Sequence, residues 1–300
     1  MTTLSVVIVS YNTRDYLRAC LRSVQRETSP SLDYEVIVVD NASSDGSAAM
    51  VREEFPWVRL LPLDQNLGFG AGCNRGAAIA TGELIALLNP DAELIGDTFG
   101  TLLKFAQEHP EAGIYGGRSL NQDGTLDPRS CWALPTLWST VCFATGISTL
   151  LPRWSATHPE AMPGWARDSV REVGVVTGYL LLATREAWTS LGGFDERFFL
   201  YGEDVDLGAR ARRAGFRPTI TPDAVVCHIG GAASLAKADK VVRVMTGKVT
   251  YVRKHWTGWR RSAGVQLLRA GALVRARGGS ALWREVWDRR SSWQEGYALD

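Results

Sequence analysis

The strongest constraint on this chain is an alternation in which short β-branched runs give way to amphipathic stretches, and a knot of polar residues follows most runs. Leu4 to Val9 and Glu35 to Val39 are two such runs. Between them Tyr16, Leu17, Cys20, Leu21 and Val24 recur at three- and four-residue spacing, so the pattern predicts a βαβ unit. A second amphipathic segment from Ala48 to Phe55, a strand near Val58 to Leu61, a helix from about Ala71 to Ala80 and the apolar run Leu84 to Leu88 continue the alternation. Parallel strands joined by helices need both sheet faces covered, and such sheets bind ligands beyond the carboxyl ends of their strands. The polar knots fall there: Ser10, Tyr11 and Asn12 after the first strand, Asp40 to Gly46 after the second, and Asn89, Pro90 and Asp91 after the fourth.

The remainder is less regular. Residues 113–163 are rich in Pro, Trp and Gly and are expected to form strands and loops, with Trp132 a candidate groove-lining residue. From Trp132 to Pro152 there is no charged residue. Pro135, Gly146 and several hydroxyl residues argue against a spanning helix, which needs about 20 apolar residues, so this segment is expected to be interfacial or buried. Val173 to Leu182 reads as one strand, followed by a helix around Arg185 to Leu191. Glu203, Asp204 and Asp206 then open a helix whose Leu207, Ala211 and Ala214 share a face, with Gly215 as its cap.

Charge is nearly balanced at +1, but unevenly placed: residues 253–290 hold ten Lys and Arg against two acids. Trp256, Trp259, Trp283, Trp287 and Trp293 interleave with those arginines, a composition that suits either an anionic membrane surface or a subunit contact, and so a homo-oligomer. Two parts are expected, residues 1–235 as the α/β domain and 236–300 as a helical basic tail. No secretory leader precedes Leu4, so a cytoplasmic location is expected, peripheral on the inner face of the membrane if the tail docks there. The five cysteines are scattered, without a Cys-x-x-Cys pair, and are expected to be reduced thiols. No phosphate-cradling Gly-x-x-x-x-Gly-Lys loop and no Gly-x-Gly-x-x-Gly after the first strand is present, which argues against a dinucleotide enzyme. A nucleic-acid partner is not expected.

Each polar motif also has an ordinary structural reading. Asp40 and Asp45 would serve as helix caps, Asp45 the better of the two. Glu203 and Asp206 would be first-turn charges facing a helix dipole, and His228 a buried, satisfied histidine. His109, His158 and His255 read as surface residues.

Order distinguishes the motifs. Val9-Ser-Tyr-Asn12, Val39-Asp-Asn-Ala-Ser43, Asn66-Leu-Gly-Phe-Gly70 with Asn74 and Arg75, Asn89-Pro-Asp91, Gly192-Gly-Phe-Asp195, Gly202-Glu-Asp-Val-Asp206 and His228 follow one another. That succession resembles the inverting glycosyltransferases of the GT-A fold, family 2, most of all the rhamnosyltransferase-like bacterial members, over Leu4 to Gly231. The resemblance implies an α/β fold, a Rossmann-like mixed sheet flanked by helices, with the tail as a C-terminal helical extension. It implies a metal-dependent transfer of sugar from a nucleotide-diphosphate donor, a dTDP- or UDP-sugar such as dTDP-rhamnose, to a glycan or lipid-linked acceptor in cell-wall or polysaccharide synthesis. Asp91 would bind Mn²⁺ or Mg²⁺, with Asn89 standing where the family has its first aspartate. His228, before Gly230 and Gly231, would complete the coordination, and an imidazole favours Mn²⁺ over Ca²⁺.

By the same resemblance Asp204 would be the general base, with Glu203 and Asp206 orienting it or the acceptor, although a helix start lowers a carboxylate's basicity. Ser10, Tyr11, Asn12, Asp40, Asn66, Gly72, Asn74, Arg75, Asn89 and Pro90 would meet the nucleotide sugar, and Gly178, Asp206 and Trp132 the acceptor. Two other classes stand beside this reading. A sugar nucleotidyltransferase would carry a Gly-rich basic loop where this chain has Ser10 to Arg14; a non-catalytic nucleotide-sugar binding module would bind without metal or turnover.

Overall fold

The computed structural model of the protein describes residues 2–229 and 236–299; the Gly230-Gly231 pair and the boundary expected at 235 lie outside the described residues. The first half runs β1 (Leu4–Ser10), α1 (Arg14–Glu27), β2 (Tyr34–Asp40), α2 (Ser47–Glu54), β3 (Arg59–Pro62), α3 (Phe69–Ile79) and β4 (Leu84–Leu88). These four strands pair in parallel in the order β3-β2-β1-β4. Then come β5 (Ala92–Ile95), α4 (Thr98–Glu108), β6 (Ile114–Leu120), β7 (Leu126–Asp127), β8 (Cys131–Trp132), α5 (Leu137–Ala144) and α6 (Ile147–Leu150). The chain continues with β9 (Arg171–Glu172), β10 (Val175–Val176), β11 (Leu180–Thr184), α7 (Arg185–Leu191), α8 (Glu203–Arg213) and β12 (Thr219–His228). It ends in α9 (Lys237–His255), α10 (Gly258–Arg277) and α11 (Ala281–Asp288).

The second half makes the sheet mixed. β11 lies antiparallel between β4 and β6, β12 runs parallel to β6, and β5 closes the edge antiparallel to β12. The single strand expected over Val173 to Leu182 is two: β10 pairs β8 in a small separate sheet, and β11 joins the main one. The break falls at Gly178, where a Cβ would stand 2.7 Å from the Phe69 ring, so backbone and ring meet where a strand side chain would project.

Alternation along β1 divides the core. Leu4, Val6 and Ile8 pack with Leu17, Cys20, Leu21 and Val24 of α1, while Val7 and Val9 pack with Cys73 and Ala77 of α3 and Leu207 of α8. Helix α3 lies unusually close to the sheet because Gly72 and Gly76 face valines; a Cβ at Gly72 would come within 2.8 Å of Val9. A third apolar cluster joins α9, α10 and α11 and reaches Ala209 on α8. The tail tryptophans largely build that cluster. Trp293 is fully buried, Trp256, Trp283 and Trp287 pack against it, and only Trp259 is exposed.

Candidate active site

The turn Asn89-Pro90 carries the chain from β4 across to the far edge of the sheet. There Asp91 precedes β5, whose Ala92 lies opposite His228 in β12, and the Ile229 N–H donates to the Asp91 carbonyl at 3.0 Å. Strand pairing therefore brings together residues 137 positions apart: His228 Nε2 stands 3.4 Å from Asp91 Oδ1. On its other side His228 Nδ1 is 3.2 Å from Asp127 Oδ2, and Arg129 forks onto Asp127 at 2.7 and 2.9 Å. Tyr179 stacks on the imidazole with centroids 4.3 Å apart and planes 12° off parallel.

Burial alone would raise the Asp127 carboxyl pKa, but the hydrogen bonds from His228 and Arg129 overcome it and hold the group well below the usual carboxylate range. Burial likewise opposes charge on His228, and Asp127 and Asp91 outweigh it, so the imidazole pKa is raised. A carboxylate and an imidazole side by side, with the second ring nitrogen held by another carboxylate, is a donor set that fits a divalent cation. Among the described residues no group of three or more such side chains surrounds a single point. The pair is therefore a two-ligand platform whose remaining positions need oxygens from elsewhere.

The residues expected to meet the nucleotide stand in the loops after β1 and β2. Asp40 is buried; its Oδ2 accepts from the Ser43 N–H at 3.2 Å, and its Oδ1 has no hydrogen-bond partner among the described residues. An orphaned buried acceptor at a strand end is what a ligand donor would satisfy. Tyr11 is exposed beside it, whereas Ser10 is buried and bonded to Thr13 at 2.9 Å. Asn12, at φ 53°, accepts the Ser44 N–H at 2.8 Å and ties the two loops together. Asp45 joins the starts of α1 and α2 by accepting from Arg14 and Ser47, as a cap would.

Three expected ligand contacts are spent inside the fold. Asn66 accepts from Asn41 and from the Gly68 N–H, both at 2.9 Å. Asn74 clamps the Phe194 backbone, accepting from its N–H at 2.9 Å and donating to its carbonyl at 2.8 Å. Gly72 serves the close approach of α3 to β1 already described. Arg75 is exposed, 3.6 Å from Glu196. Asn89 works through its backbone, its N–H donating to the Tyr179 carbonyl, and Pro90 is buried in the turn.

At the start of α8, Gly202 sits at φ 101° and Glu203 follows, buried, with Oε2 unpartnered among the described residues. Half-buried Asp204 accepts from the Val205 N–H at 2.8 Å. Burial raises both carboxyl pKa values, and Asp204 raises that of Glu203 further. The helix start was expected to lower Asp204's basicity; desolvation outweighs it, and the pair holds protons more readily than free carboxylates. Asp206 does not face an acceptor. It is fully buried, with Oδ1 2.6 Å from Lys254 and 2.7 Å from His255, and Oδ2 2.7 Å from Arg210. His255, read from sequence as a surface residue, is part of this buried set. Gly178 lies buried under Phe69, and Trp132 is half-buried in β8, its carbonyl accepting from the Gly174 N–H.

Tyr201, just ahead of the Gly202 cap of α8, has its phenol pKa raised by burial first, then by the charge of Glu203, with Arg243 opposing and Asp91 adding to the rise. Sequence reasoning missed Tyr201, Asp127 and Tyr179, which stand outside the ordered motifs, and gave Asn41 no role of its own within Val39 to Ser43. Asp127 alone had a signal, an acid beside Arg129 just before the uncharged segment.

Residues 5–161 match the family model described as Glycosyl transferase family 2. The chain belongs to that family. This family 2 glycosyltransferase is 34% identical over 239 residues to the N-acetylglucosaminyl-diphospho-decaprenol L-rhamnosyltransferase of Mycobacterium tuberculosis, with 75% of each protein covered. Among solved structures it is similar to S. aureus TarS, at a TM-score of 0.56 and 17% identity over 93% of this chain and 44% of TarS, so it spans less than half of that protein. It is similar also to the mannosyltransferase PcManGT of Pyrobaculum calidifontis, solved with GDP-Man and Mn²⁺, at a TM-score of 0.55 and 19% identity over 96% of this chain and 79% of the other. At such identities the structural likeness is one of fold, the GT-A sheet with its flanking helices. Asp40, Asp91 and Asp127 lie within the family-matched stretch; Glu203, Asp204 and His228 lie beyond it.

Proposed function

We propose that this glycosyltransferase moves rhamnose from dTDP-rhamnose, with inversion, onto a lipid-linked saccharide diphosphate. The name of the Mycobacterium tuberculosis relative supports both sugar and acceptor class. One observation carries the chemistry: the Glu203–Asp204 carboxylate pair opens α8 with Glu203 buried against the first turn of α3, where a Cβ at Gly70 would stand 3.6 Å from the Glu203 Cβ. In this reading Asp204 accepts the proton of the acceptor hydroxyl while the acceptor oxygen bonds to the anomeric carbon. The carbon–oxygen bond to the diphosphate breaks on the opposite face, and the nucleoside diphosphate leaves with the electron pair. Burial keeps the proton affinity of Asp204 high, and Asp204 in turn raises that of Glu203 beside it. Asp40 Oδ1 takes a donor from base or ribose, Tyr11 covers the base, and Arg75 lies at the first turns of α3 within reach of anionic groups.

Mn²⁺ or Mg²⁺ on Asp91 and His228 would bring positive charge to the departing diphosphate. The protein's part is to present His228 Nε2 towards Asp91, which it does through Asp127. The basic helical part would keep the enzyme at the inner face of the membrane, where a lipid-linked acceptor lies.

Thermal melting with a panel of nucleoside-diphosphate sugars, with and without Mn²⁺, tests the donor. dTDP-rhamnose at about 100 times its dissociation constant should add about 2.7 kcal/mol of stability. Asp204→Asn should melt and bind donor as the parent does and lose transfer by about 10²- to 10⁴-fold. Near-normal turnover in that variant would remove Asp204 from the role.

A further inference from the structure

We propose that the outer face of α10 and the α5–α6 hairpin beside it form one surface on which the enzyme rests against an anionic lipid bilayer; the proposal deepens the reading of a lipid-linked acceptor and rests on it. Of the eleven exposed large hydrophobic residues among the described residues, six fall on α10 or between α5 and the turn that follows α6: Trp138, Leu150, Leu151, Trp154, Trp259 and Val274. Helix α10 buries Gly264, Leu268, Gly271, Ala272 and Ala276 in the bundle. On the opposite side Trp259, Ala270 and Val274 line up at helical spacing, with exposed Arg260 and Arg277 at the two ends.

The two stretches are contiguous. Arg275 reaches from α10 to the Phe143 carbonyl at 2.6 Å and to Thr149 Oγ1 at 2.8 Å, and a Cβ at Gly146 would lie 3.8 Å from Val274. The start of α6 thus packs on the Val274–Arg275 end of α10. The Trp138 indole N–H donates to the Ala156 carbonyl at 2.7 Å, which ties α5 to the segment that follows Trp154. Exposure is high where it counts, at 78% for Leu150, 67% for Trp259 and 64% for Trp154.

Charge selects the occupant. Helix α10 contains five arginines and no acid; Arg269 is paired with Glu295 and Arg275 is turned onto Phe143 and Thr149, which leaves Arg260, Arg261 and Arg277 exposed, and no charge at all interrupts Trp132 to Pro152 before exposed Arg153. A second copy of the chain docked isologously would set this basic face against itself. Lipid phosphates would instead meet the arginines while Trp and Leu enter the headgroup boundary, where amphipathic rings are favoured. From Trp259 to Val274 the helix spans about 22 Å, and no described helix is long and apolar enough to cross a membrane, so α10 would lie in the interface plane. The surface also connects to the site, since the chain that carries Asp127 and Arg129 continues through β8 and Pro135 into α5.

Flotation of the full chain with phosphatidylcholine vesicles, with and without phosphatidylglycerol, tests the proposal. Binding should require phosphatidylglycerol and fall with salt. Arg260→Glu and Arg277→Glu should each weaken it about fivefold or more, and Trp259→Ser with Leu150→Ser should abolish it. All four should leave the melting temperature and transfer to a water-soluble short-chain acceptor unchanged. Equal binding by parent and variants, or no binding by the parent, overturns the proposal. So does a concentration-dependent dimer that Trp259→Ser dissolves. Phosphatidylglycerol-dependent flotation in a protein that transfers no sugar would instead refute the functional reading and leave the surface standing.

Discussion

Asp127 illustrates how a single side chain can act at one remove. Its hydrogen bond to Nδ1 gives His228 a fixed ring orientation, and Arg129 on its far side keeps it ionised for that purpose. Asp127→Asn should keep the fold and weaken Mn²⁺ binding about 10- to 100-fold in the presence of nucleoside diphosphate. Electron paramagnetic resonance of free and bound Mn²⁺ measures this without any turnover; unchanged affinity would reduce Asp127 to a packing residue. Glu203 gives a second test through pH. Its folded-state pKa is raised by burial and by Asp204, so the native state binds this proton more tightly than the unfolded state does. Stability from this group is therefore present at acid pH and lost as pH rises from the ordinary carboxylate pKa to the elevated one. Melting temperatures of the ligand-free protein across that window should fall, and Glu203→Gln should flatten the dependence. The first effect comes from a contact between residues remote in sequence, which is why Asp127 escaped a reading by motif, whereas Glu203 and Asp204 are neighbours in one motif.

Among the elements, the junction of α8 and α9 has the most to lose. Asp206 is surrounded by Arg210 from its own helix and by Lys254 and His255 from α9, and Lys254 bridges on to Asp195 at 2.6 Å. A buried carboxylate removed from such a set leaves cations without their partner, at a cost of about 3–5 kcal/mol. Asp206→Asn should lose about that much in urea unfolding; a loss below about 1 kcal/mol would mean that water satisfies the set. The expected helix was right, and its residue Asp206 turned out to be an anchor. Periodicity shows that 206 and 210 share a face, but it cannot show that α9 returns to cover that face. Asn74 and Gly72 follow the same logic on α3, where a loop 120 residues later and a neighbouring strand claim positions that a local reading assigns to ligand.

For the whole molecule, the division expected between residues 1–235 and 236–300 becomes an experiment. The bundle packs on Ala209, and Tyr297 holds the Leu200 carbonyl at 2.6 Å just before the Glu203–Asp204 pair. A chain ended at residue 236 should lose its cooperative melting transition; a truncated protein that melts and transfers sugar like the parent would show that the two parts are independent. What the sequence determined by itself was local and ordered: the alternation of strands and helices, the polar knots beyond the strand ends, and the succession of motifs by which the family resemblance was drawn. Periodicity and turn chemistry act over a few residues, so they survive in a linear reading. Tertiary structure decided the antiparallel placement of β5 and β11, the pairing of β12 parallel to β6, the meeting of Asp91 with His228 and Asp127, and which tryptophans face outward. Those outcomes depend on burial and on pairing between distant strands, and neither is written in the spacing of any one segment.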